Sequence, residues 1–215
     1  MDNSPVLPLM RSLRRGTVPR QLPLVLASGS PRRAELMSAA GYRYVVQLPS
    51  DGAEDQPRPG EPAGQVVKRL ALQKAADVAA RVRHGLVLAA DTLGYCDGVL
   101  LGKPADADDA ARMLRMLSGR RHQVLSGVCL WDVTTGRRVV DVVTTELEMT
   151  TLDDSTLDQH LRSLRWQGKA GAFGYQDGND WLRVVAGSES NVVGLPMERL
   201  AELLEKFDEI SDAPA

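Results

Sequence analysis

Apolar residues along this chain alternate between short continuous runs and helix-spaced stripes, and that alternation predicts its elements. Leu24-Val25-Leu26-Ala27 is short and wholly apolar, as a strand buried on both faces would be, and it runs straight into Ser28-Gly29-Ser30-Pro31. Ser30 suits the N-cap of a helix with Pro31 in first place, where a missing N–H forfeits no hydrogen bond. Leu36, Met37 and Ala40 form the stripe of that helix, and Gly41 suits its end. Residues 44–48 predict a second strand, and 49–62, rich in Pro, Gly, Asp and Glu, predict a loop. Val67, Leu70, Ala71 and Val78 predict a longer helix, and Leu86 to Ala90 a central strand.

In the second half, Asp106 caps a predicted helix with Ala110, Met113, Leu114 and Leu117 inward and Gly119 as its stop. Strand candidates at 124–133 and 139–147 flank Thr134-Thr135-Gly136, a hairpin signal. Asp153 or Asp154 opens a helix to Leu164, residues 181–186 predict a strand, and about 196–207 form the last helix. Alternating strands and helices followed by a hairpin predict an α/β domain with a mixed sheet. The folded domain is expected over residues 22–208, with a short tail at 209–215. Arg11, Arg14, Arg15 and Arg20 lie among prolines, so residues 1–21 read as a disordered or loosely packed basic extension.

Composition narrows the class. With 215 residues, 43% of them hydrophobic and 25% charged, the chain can bury a core without disulfides or structural metal. Cys96 and Cys129 sit in apolar surroundings and form neither a disulfide framework nor a zinc pattern, so a reducing, cytoplasmic compartment is expected. His84, His122 and His160 lack metal-ligand spacing. A net charge of -2 and a pI near 6.0 make the chain a poor match for nucleic acid. No run approaches the roughly 18 apolar residues of a membrane span, and the first twenty residues lack the apolar core and cleavage site of a secretory signal.

Four segments could carry chemistry. Ser28-Gly29-Ser30-Pro31-Arg32-Arg33 joins a strand to a helix start, where free N–H groups and the helix dipole favour an anion. Two arginines there oppose the dipole, which a bound phosphate would offset; the alternative is a surface helix with solvated arginines. Asp91-Thr92 directly follows the central strand, where α/β sheets place ligands, and Leu101-Gly102-Lys103-Pro104 is a rigid loop able to aim an ammonium group. Otherwise Asp91 caps a turn and Lys103 faces solvent. Lys74, four residues after Leu70, projects from the apolar face of its helix and either snorkels to water or pairs with an anion. Residues 168–176 and 187–196 are small-residue loops open to close ligand approach, and the Gln176 amide could read a base edge.

SGSPRR, RLALQKA, AADT with LGKP, LSGRRHQV, GKAGAFGYQ and SNVVGLP, in this order, resemble the Maf family of nucleoside triphosphate pyrophosphatases over residues 24–200. The resemblance implies an elongated mixed sheet flanked by helices, with a cleft between two lobes, the fold shared with inosine triphosphate pyrophosphatases, usually in a homodimer. It implies hydrolysis of a triphosphate to monophosphate and pyrophosphate with Mg²⁺ or Mn²⁺. Asp91 matches the family's proton acceptor, and Ser28, Arg33, Lys74 and Lys103 match its phosphate-facing positions. Glu54 matches an acid near the metal, with Asp91 as a second ligand. Arg32, Thr92 and Gln176 match the positions tied to base choice and resemble the branch acting on dTTP and UTP. A purine house-cleaning pyrophosphatase and a nucleotide-binding regulator of cell division are the rival readings. The chain departs from the family pattern at Ala53, where an acid is common and Asp51 or Asp55 stands nearby, and also at Gly168, Tyr175 and Asp177.

Overall fold

A run of three apolar residues at Leu24–Leu26 (β1) forms a strand buried on both faces, next to Leu86–Cys96 (β3) in a seven-stranded sheet. The structure, a computed structural model, describes residue 10 and residues 12–209. The remaining elements are Pro31–Ala39 (α1), Val45–Val46 (β2), Ala63–Ala79 (α2), Val99–Leu101 (β4), Ala107–Leu117 (α3), Arg121–Asp132 (β5), Arg138–Met149 (β6), Asp154–Arg162 (α4), Leu182–Ala186 (β7), Glu189–Val193 (α5) and Met197–Glu205 (α6). The strand order is β2-β1-β3-β5-β6-β7, with β4 on the far end of β3. β1 pairs in parallel with β2 and β3, and the other pairs are antiparallel. The expected mixed α/β sheet is therefore present.

Strand parity distributes the core. Leu24 and Leu26, with Leu86, Leu88 and Ala90, face α1 and α6, where Leu36, Met37, Leu200 and Leu204 close the layer. Val25, Ala27, Val87, Ala89 and Cys129 face the opposite side and pack on Ala71, Ala75 and Val78 of α2. A second lobe gathers around the other end of β5 and β6, where α3 and α4 bury Met113, Leu114, Leu117 and Leu157 with Trp166, Phe173 and Trp181. The long strands β3, β5 and β6 thus hold two lobes on one frame. Gly127 of β5 lets α2 settle on the sheet, because a Cβ there would overlap the Val67 carbonyl and the Lys68 nitrogen.

Three expectations need correction. The central strand continues to Cys96, so Asp91 and Thr92 lie inside β3 and not beyond its end. It continues because β5 pairs with it from Leu86 to Tyr95. The second strand shrinks to Val45–Val46, with both side chains exposed at the sheet edge. The described part of the N-terminal extension is packed and not loose: Met10, Leu13 and Val18 lie against the α1–α6 core, and Gly16 sits against the Ala201 backbone. Arg20 bonds the buried Asp132 at 2.6 Å, and Arg14 bonds Glu205 at 2.6 Å. Residues 1–9, 11 and 210–215 lie outside the described residues.

Candidate active site

The lobes meet where β3 is bare along one edge. β1 covers Leu86 to Leu88, β4 covers Gly94 to Cys96, and among the described residues no strand pairs with the intervening ones on that side. Asp91 and Thr92 occupy this gap, and strand parity sends their side chains to opposite faces. Asp91 shares the face of Val87 and Ala89 and so meets α2. Thr92 shares the face of Leu88 and Ala90 and so meets α1.

On the α2 face, the buried Lys74 Nζ lies 2.6 Å from Asp91 Oδ1 and 2.8 Å from Glu54 Oε2. The two readings of Lys74 are thereby decided: its ammonium pairs with carboxylates instead of reaching bulk water. Glu54 comes from the 49–62 loop, which is gripped, with Leu48 just before it, by a row of residues one turn apart on α2 and just past its end. Arg69 bonds Glu61 at 2.6 Å, Gln73 bonds Asp55 at 2.7 Å, Asp77 accepts from the Ser50 N–H at 2.9 Å, and Arg81 donates to the Leu48 carbonyl at 2.8 Å. Asp55 is therefore turned toward Gln73 and away from Lys74. Asp91 Oδ2 is buried with no hydrogen-bond partner among the described residues, which leaves an acceptor oxygen at the gap.

On the α1 face, Arg33 is buried. Its Nη1 donates to Ser28 Oγ at 3.0 Å, its Nη2 to Thr92 Oγ1 at 3.2 Å and its Nε to the Gly194 carbonyl at 2.8 Å. Burial pushes its pKa below the ordinary arginine value, a shift opposed by the charge of Asp91. Pro31 takes the first helical position after Ser30, as expected, but the Ser30 side chain makes no capping bond. Ser28 Oγ instead accepts from the Ser30 N–H at 3.2 Å.

Arg32 turns away from Arg33 and donates to the Gly168 carbonyl at 3.0 Å, joining α1 to the loop that carries Gln176. Gln176 is half-buried on a short 3-10 turn, Tyr175–Asp177. Thr92 does not join Arg32 and Gln176. Its hydroxyl is shared among Arg33, Ser126 at 2.7 Å and the Gly194 carbonyl at 3.3 Å, which places it between Arg33 of α1, β5 and the α5 turn. Lys103 is exposed, and a Gly171 N–H bond of 3.0 Å to the Gly102 carbonyl ties its loop to the Gln176 loop. Sequence reasoning left residues 187–196 as a small-residue loop and missed Asn191. Its amide donates to the carbonyls of Val124 and Val143 at 3.1 and 3.3 Å, pinning the turn that offers the Gly194 carbonyl to Arg33. An Asn leading directly into the apolar Val192-Val193 was the available signal, since a buried amide needs partners.

The arrangement is an α/β fold whose bare β3 edge carries Asp91, with Glu54 and Lys74, on one face and buried or half-buried arginines on the other. The chain belongs to the Maf family: the family model described as Maf-like protein matches residues 23–207. A protein of Rhodopirellula baltica named dTTP/UTP pyrophosphatase is 63% identical over 187 residues, covering 86% of this chain and 82% of its own. Proteins of the same name are 44% identical over 186 residues in Anaeromyxobacter dehalogenans, covering 85% of this chain and 93% of theirs, and 42% identical over 192 residues in Escherichia coli O157:H7, covering 88% and 95%. Among solved structures, a HAM1 protein from Coxiella burnetii is 17% identical with a TM-score of 0.48, covering 86% of this chain and 99% of that one.

Proposed function

We propose that this protein hydrolyses dTTP and UTP to the monophosphate and pyrophosphate. The observation that carries the reading is the bare edge of β3, which sets Asp91 and Thr92 between a carboxylate–lysine wall and an arginine wall. The relatives named dTTP/UTP pyrophosphatase supply the substrate class. A triphosphate carries about four negative charges, and its transfer chemistry depends mainly on positioning and charge neutralisation. Arg33 and the carboxylate-paired Lys74 flank the bare edge, the exposed Lys103 would add positive charge from its loop, and Ser28 and the 28–31 backbone lie at the helix start that favours phosphate.

Lys74 holds Asp91 by Oδ1, so Oδ2 is the oxygen left to accept a proton from an attacking water. Attack at the α-phosphorus expels pyrophosphate, whose charge falls to Lys74 and Lys103. Glu54 and Asp91 would be the residues to hold Mg²⁺ or Mn²⁺: both carboxylates pair with the Lys74 ammonium, and Asp91 Oδ2 is buried with no hydrogen-bond partner among the described residues. When bound, such a cation would neutralise phosphate charge and polarise the phosphoryl group. Arg32 and Gln176 would face the base, with Gln176 pairing to the uracil or thymine edge. A homodimer in the cytoplasm, acting without nucleic acid or membrane, completes the reading; no described helix is long and apolar enough to cross a membrane.

Hydrolysis of dTTP in ¹⁸O-water tests the site of attack. The label is expected in dTMP, and label in the pyrophosphate would overturn attack at the α-phosphorus.

A further inference from the structure

Gln176 is held by its neighbours. Asp177, the next residue, binds Lys169 Nζ through Oδ2 at 2.5 Å, and both side chains are only 12% exposed. Tyr175, the residue before, donates its hydroxyl to Glu189 Oε1 at 2.7 Å, and burial, with the carboxylate beside it, pushes its pKa up to about 12. The Lys169–Asp177 pair is seated against Gly174, where a Cβ would come within 2.6 Å of Lys169 Nζ and also meet Asp177 Oδ2. Asn179 closes the loop with a 3.1 Å bond to the Gly174 carbonyl. Gly178 follows in the left-handed region at φ 70°, so the turn reverses directly after Asp177.

The same pair reaches Arg32. The Arg32 guanidinium bonds the carbonyl of Gly168, the residue before Lys169, and feels the charge of both members of the pair. Arg32 and Gln176 come from distant parts of the chain, and the Lys169–Asp177 pair links them. A buried ion pair adds little net stability compared with apolar contact, whereas removing one partner leaves an uncompensated charge. Its value here lies in fixing geometry.

We propose that Lys169 and Asp177 are positioning residues for base choice: their ion pair fixes the turn that presents Gln176 and the reach of Arg32. This rests on the reading that Gln176 contacts the base.

The test compares kcat/KM for dTTP and for inosine triphosphate, with inhibition by inorganic pyrophosphate, which has no base, as the internal control. Asp177→Ala is expected to lower the dTTP preference about tenfold or more, chiefly through KM for dTTP. Inhibition by pyrophosphate should shift less than about twofold, because its contacts lie in the phosphate subsite. Asp177→Asn keeps an oxygen acceptor for Lys169 and should restore most of the preference. Should Asp177→Ala fail to fold, Lys169→Met with Asp177→Leu removes both charges together and carries the same readout. An unchanged preference in these folded variants, while Gln176→Ala does lose it, would overturn the positioning role alone. Equal weakening of dTTP, inosine triphosphate and pyrophosphate would also overturn it, as the mark of general loosening. An unchanged preference in Gln176→Ala would remove the base-contact reading and the inference with it.

Discussion

At the scale of single residues, the site depends on Asp91 offering one held and one free oxygen. Lys74 fixes Oδ1 at 2.6 Å, and Oδ2 is buried without a partner among the described residues. Asp91→Asn preserves size and removes the base, so kcat should fall about 100-fold or more while KM for dTTP changes little. Steady-state kinetics on the purified variant check this, and near-normal turnover would dismiss Asp91 as the base. Several of these residues were legible in the sequence, because a strand leading into Asp91-Thr92 and a lysine on an apolar helix face are each unusual. The partners were not legible. Nothing local to Lys74 says that its ammonium meets Asp91 and Glu54, since those contacts depend on how α2 packs over β3. Nor does local sequence say that Thr92 joins Arg33 instead of Arg32.

At the scale of elements, the apolar runs foretold β1, β3, β5 and β6 and the caps of α3 and α4, where Asp106 and Asp153 accept from Asp109 and Thr156. They missed the extension of β3 because its second half, Thr92 to Tyr95, is mixed in polarity and is held by pairing with β5. They overstated β2 because a run of apolar residues at an edge need not be buried. The close contact of α2 with β5 is testable at Gly127. Gly127→Ala should destabilise the fold by about 2–3 kcal/mol, since helix and sheet must part. Chemical unfolding measures that loss, and activity should fall with it because α2 carries Lys74.

β5 also buries His122, edge-on to Phe173, and burial depresses its pKa from 6.5 to about 4. The unfolded chain therefore binds a proton below about pH 6.5 that the folded chain refuses until about pH 4. Stability from this group is intact above pH 6.5 and is lost as pH falls through that window, by up to about 3 kcal/mol. Unfolding curves for His122→Phe should show a shallower loss between pH 6.5 and 4 than the parent protein. Identical slopes would contradict the assignment.

At the scale of the whole molecule, two lobes share three long strands, and the candidate site lies where β1 ends and β4 has not yet begun along β3. The N-terminal segment reinforces one lobe from outside: Leu13 and Val18 lie on its core, and Arg20 reaches Asp132 at 2.6 Å. Deleting residues 1–21 should cost about 2–4 kcal/mol and lower the melting temperature by about 5–10 °C. Turnover at low temperature should persist, because the described residues of that segment make no contact with Asp91, Lys74 or Arg33. Calorimetry beside a pyrophosphate assay separates the two effects. The scattered arginines and prolines of this segment read as a loose extension because its anchors, such as Glu205 and Asp132, are remote in sequence.

The central claim, metal-assisted release of pyrophosphate from pyrimidine triphosphates, is tested most directly by one measurement. Purified protein is assayed for pyrophosphate and orthophosphate across dTTP, UTP, the common purine triphosphates and inosine triphosphate, with Mg²⁺ or Mn²⁺ and with chelator. Chelator-sensitive pyrophosphate release from dTTP and UTP, ahead of every purine, is the predicted result. Orthophosphate as the first product, or binding of these nucleotides without turnover, would contradict it.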